Sequence, residues 1–87
     1  MSKLICDYYT KGMTLGTYLK TVNINCDETG IQIYSNSISK IIFGGKLKDF
    51  VVQHSAMEGL VISKLKPLHS HRTVVMIEGY HIEIWWA

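Results

Sequence analysis

A chain of 87 residues has room for one domain, residues 1–87, and a domain this small hides only about 60% of the surface its unfolded form exposes. Hydrophobic residues make up 47% of it and charged residues 18%, below the roughly 25% of ordinary soluble domains, so there is more apolar surface than a thin core absorbs and an interface is expected. The net charge of +2 is weaker than the excess of a dedicated nucleic-acid binder, and no apolar run exceeds four residues, far short of a membrane span.

The opening residues place the acid Asp7 where a secretory leader needs an apolar run, which predicts a cytoplasmic protein. Cys6 and Cys26 are then free thiols, and their apolar neighbours mark them as small core groups and not nucleophiles. Residues 3–9, β-branched and aromatic in part, read as a first strand. In residues 18–26 the apolar Val22, Ile24 and Cys26 alternate with Thr21, Asn23 and Asn25. After Asp27-Glu28-Thr29-Gly30 the alternation resumes at Ile31 and Ile33, with Gln32 and Tyr34 between. This pattern predicts a hairpin with Ile24 opposite Ile33 and Gly30 at a positive φ.

Residues 38–43 fit either a strand or a helical turn. Leu47, Phe50, Val51, His54 and Met57 recur at spacings of three and four, so a short amphipathic helix is expected near residues 46–57, with Gly44-Gly45 before it and Gly59 after it. Residues 60–65 read as a strand that stops before Pro67. The C-terminus predicts a second hairpin, in which a two-residue turn at Glu78-Gly79 pairs Ile77 with Tyr80, Val75 with Ile82 and Thr73 with Ile84. Trp86 continues that apolar face. Val74, Met76, His81, Glu83 and Trp85 take the other, with Arg72 close by. A hairpin apolar on both faces suits the middle of a sheet or an interface. The sum is an α+β domain, mainly an antiparallel sheet of five or six strands with one short helix.

No catalytic set is apparent. The chain lacks a G-x-S-x-G elbow, a phosphate-binding glycine loop and an H-E-x-x-H helix, and nothing brings a cysteine to a histidine. His69 and His71, two apart in an extended segment, point the same way and supply two metal ligands. His81 belongs to the opposite face and only a distant His54 remains as a third, so no metal and no cofactor is expected. Lys40, Lys46, Lys48, Lys64 and Lys66 gather in the middle of the sequence. With Tyr34 and Trp85 as stacking platforms they form a candidate surface for single-stranded nucleic acid, while lysines on edge strands also serve simply to discourage aggregation.

The adjacent indoles of Trp85 and Trp86 project to opposite faces of a strand, so one core does not take both. Together with Tyr34, Met76 and His81 they are the candidate partner-binding residues. The leading expectation is a non-enzymatic protein-binding module, an adaptor or inhibitor that occupies a partner's surface, of the kind frequent among phage and mobile-element proteins. The composition also predicts a homodimer. A nucleic-acid-binding module is the alternative, and a small His/Cys-dependent enzyme or metal-binding protein a distant third.

Overall fold

In the computed structural model, residues 9–22, 27–69 and 71–86 are described. The chain folds as an α+β domain with five antiparallel strands: β1 (Gly30–Ser35), β2 (Lys40–Lys46), β3 (Lys64–His69), β4 (Arg72–Ile77) and β5 (Tyr80–Trp85). Their order across the sheet is β2-β1-β5-β4-β3. Two helices, α1 (Leu15–Val22) and α2 (Leu47–Gln53), precede β1 and follow β2, and a 3-10 turn, Ser55–Gly59, follows α2.

The expected C-terminal hairpin is present in its expected register, with Ile77 opposite Tyr80, Val75 opposite Ile82 and Thr73 opposite Ile84. Its last strand is the middle strand of the sheet, paired to β1 on one side and β4 on the other. Both edges of β5 are therefore paired, while the core covers only the face that carries Ile82 and Ile84. The helix expected at residues 46–57 is divided between α2 and the 3-10 turn, and His54 joins them. Leu47 and Phe50 are its buried anchors, and the Leu47 amide donates to the Thr29 carbonyl at 2.8 Å.

The expected N-terminal hairpin is corrected. Residues 18–22 belong to α1, not to a strand; residues 23–26, with Ile24 and Cys26, lie outside the described residues, as do Cys6 and all of the first expected strand except Tyr9. Leu15, Tyr18, Leu19 and Val22, spaced i, i+3, i+4 and i+7, form one buried helical stripe. The Thr14 hydroxyl accepts from the Thr17 amide at 3.3 Å and so caps the helix start. Val22 satisfies both the helical and the alternating pattern, and burial of the whole stripe favours the helix. β1 pairs with β2 and β5 in place of residues 18–26. Gly30 accordingly opens a strand, and the positive-φ glycines are Gly12 and Gly79.

Two smaller expectations change as well. Gly44 and Gly45 lie within β2 rather than ahead of a helix. Pro67 lies inside β3 rather than beyond its end, opposite Thr73. A proline withholds an N–H from the ladder, so an edge strand is where the sheet tolerates it.

The core occupies one side of the sheet. Ile31 and Ile33, Ile82 and Ile84, and Val75 and Ile77 are buried there with the α1 stripe, Leu47, Phe50, Ile62 and Trp86. Phe43 packs edge-on against Phe50 with ring centroids 5.9 Å apart. Both helices thus form a single layer on this inner face. No helix among the described residues is long and apolar enough to cross a membrane.

Candidate binding face

Strand alternation sends the remaining side chains to the outer face, and the register sets them in rows that run across the sheet. One row reads Ile41, Tyr34, His81, Met76, Lys64. The next reads Gly44, Gln32, Glu83, Val74, Lys66, and a third Lys46, Gly30, Trp85, Arg72. The first two rows span about 19 Å, four interstrand spacings, and the third about 14 Å, three spacings. A bulge in β2 between the partners of Ile33 and Tyr34 turns Ile41 onto this face, where it is 57% exposed.

The two tryptophans part as expected. Trp86 is 6% exposed, packs edge-on against Tyr18 with centroids 6.1 Å apart, and donates its indole N–H to Thr73 Oγ1 at 3.0 Å. Trp85 is 39% exposed on the outer face. The Arg72 guanidinium lies 5.4 Å from its ring centroid, and the same guanidinium is ion-paired to Glu83. On the other flank the indole runs beside Gly30, where an added Cβ would make only ordinary contact, 3.9 Å from Trp85 Cε3.

Of the five partner-binding candidates, Trp85, Tyr34, Met76 and His81 share this face, and Tyr34, His81 and Met76 are direct cross-strand neighbours. Trp86 does not join them; it is part of the core. Ile41 and Val74 belong to the face too. Val74 is buried among outer-face neighbours and stands apart from the core cluster. No local pattern points to Ile41, because its orientation depends on the bulge.

The five lysines divide. Lys46 borders the outer face at the β2 edge, and Lys64 and Lys66 border it at the β3 edge, four strands away. Lys40 alternates to the other side of β2, opposite Ser35, and Lys48 rides on α2. They form no single basic edge. Lys46 Nζ lies 3.8 Å from Glu28 Oε2, while Lys64 and Lys66 take no ion-pair partner among the described residues.

The histidines are dispersed over separate elements: His69 in β3, His71 in the turn before β4, His81 in β5, and His54 stacked on Phe50 and edge-on to Phe43 in the helical layer. Among the described residues no group of three His, Cys, Asp or Glu side chains is arranged to hold a metal ion. Comparison of the chain with protein-family models, curated proteins and solved structures finds no match.

Proposed function

We propose that the chain is a non-enzymatic protein-binding module, an adaptor or inhibitor that engages a partner through the outer face of its sheet. The observation that carries this reading is the convergence of Trp85, Tyr34, His81 and Met76, from three strands, on a face that no described helix covers. An exposed indole braced by Arg72 is a pre-organised anchor, and little side-chain entropy is lost when it is buried.

Single-stranded nucleic acid is the second reading, favoured by the lysines at both margins of an aromatic face. Against it, Arg72 already covers one side of the Trp85 ring, and the aliphatic Ile41 and Met76 interrupt the row that holds Tyr34 and His81.

A homodimer through this face would bring two copies of the same net-positive surface together. It is expected only where salt screens them, so sedimentation velocity should read monomer at low ionic strength and association at high.

Affinity capture from extracts of the source cells tests the main reading. Wild type and Val52→Asp, altered at an exposed position on α2, should retain the same partner, whereas Trp85→Ala and Met76→Asp should lose it while keeping the wild-type circular dichroism. Undiminished capture by both face variants would refute the assignment.

A further inference from the structure

We infer that the segment docking on the outer face is acidic: apolar or aromatic side chains of the partner seated along the line from Met76 through Val74 to Trp85, with carboxylates reaching Lys64 and Lys66. This rests on the protein-binding reading above and adds the chemistry of the partner. The three outer rows hold four of the chain's nine basic residues, Lys46, Lys64, Lys66 and Arg72, but only one of its seven acids, Glu83. That acid is committed to Arg72, and Lys46 shares Glu28 at the rim. The unneutralised charge is therefore concentrated at Lys64 and Lys66.

Both lysines are exposed, and the register sets them directly beside the apolar outer-face residues, Lys64 opposite Met76 and Lys66 opposite Val74. The apolar contact and the charge contact lie one strand spacing apart, about 5 Å. The two ammonium groups are carried by residues on the same side of β3, whose Cα atoms are about 7 Å apart. Carboxylates at alternate positions of an extended segment, or one turn apart on a helix, match that separation. A second copy of this chain presents the same cations and repels; an acidic partner is attracted over distance and held in one register.

Selection of short random peptides against the full chain tests the inference. Wild type should enrich peptides that combine a large apolar residue with two or more Asp or Glu, and their affinity should fall on the order of tenfold as salt is raised through the physiological range. The double variant Lys64→Glu/Lys66→Glu should reverse the preference towards Lys and Arg. Enrichment of the same peptides by both proteins would overturn the inference and leave the lysines as edge protection. So would tighter binding of an oligo-dT strand than of any selected peptide, which would assign the face to nucleic acid. Trp85→Ala separates the role of the face from that of its charge. If it abolishes peptide binding while charge reversal changes nothing, the face stands and the acidic partner falls; if neither change matters, both fall.

Discussion

The indole N–H of Trp86 and the hydroxyl of Thr73 meet at 3.0 Å inside the core, a buried donor and a buried acceptor contributed by neighbouring strands. The preceding residue, Trp85, faces outward next to Arg72. Two adjacent tryptophans therefore carry opposite burdens, and their substitutions should separate. Trp86→Ala should cost about 3–5 kcal/mol by opening a large cavity. Thr73→Val, nearly isosteric, should cost about 1–3 kcal/mol because the indole N–H loses its partner. Trp85→Ala should stay within about 1 kcal/mol of wild type. Urea denaturation reads all three, and equal losses at Trp85 and Trp86 would contradict the division of faces.

Gly79 and Gly30 make a second contrast. Gly79 has φ +89° in the β4–β5 turn, which a side chain resists, so Gly79→Val should destabilise by about 1–3 kcal/mol. Gly30 sits in a strand, and an added Cβ would meet Gly45 O at 3.7 Å and Trp85 Cε3 at 3.9 Å, ordinary contacts. Gly30→Ala should be neutral or stabilising by up to about 1 kcal/mol. Thermal unfolding of the pair checks this; a larger loss at position 30 would restore the turn that the sequence suggested there.

Gly16 is where α1 comes closest to the 3-10 turn. A Cβ there would lie 2.8 Å from Glu58 Cβ and 3.1 Å from the Glu58 carbonyl oxygen. Replacing a helical glycine by alanine ordinarily stabilises by about 1 kcal/mol. Here Gly16→Ala should instead cost about 1–3 kcal/mol, since backbone has to shift. Gly44→Ala, with nothing within 4 Å, is the matched control and should be close to neutral. A stabilised Gly16→Ala protein would mean that α1 and the turn are not packed this closely.

Arg72 shields Trp85 and is anchored by Glu83. Glu83→Gln should loosen that anchor, with a stability loss of about 1 kcal/mol or less because the pair is partly solvated. The clearer readout is fluorescence. Acrylamide, a neutral quencher, should quench Trp85 more strongly in Arg72→Ser than in wild type, while Trp86 in the core remains protected. Unchanged quenching would show that the guanidinium does not cover the ring.

The sequence by itself determined the β4–β5 hairpin down to its register, because a two-residue turn at Glu78-Gly79 and strict alternation leave one pairing that keeps Val75, Ile82 and Ile84 together. It likewise separated Trp85 from Trp86, and located α2 through Leu47 and Phe50. These are local constraints, each decided by a few neighbouring residues. What the tertiary structure alone decided was non-local. Residues 18–22 satisfy a strand pattern nearly as well as a helical one, and the choice depends on what Leu15, Tyr18, Leu19 and Val22 bury against. No local signal says that the last strand lies in the middle of the sheet, or that β1 is its neighbour. Yet only that order lines up Tyr34, His81 and Met76 in one row, and only it sends Lys46 and the Lys64–Lys66 pair to opposite margins of one face. Strand order is chosen by the burial summed over the whole sheet against the entropy of closing the long connections, and no short window of sequence contains that sum.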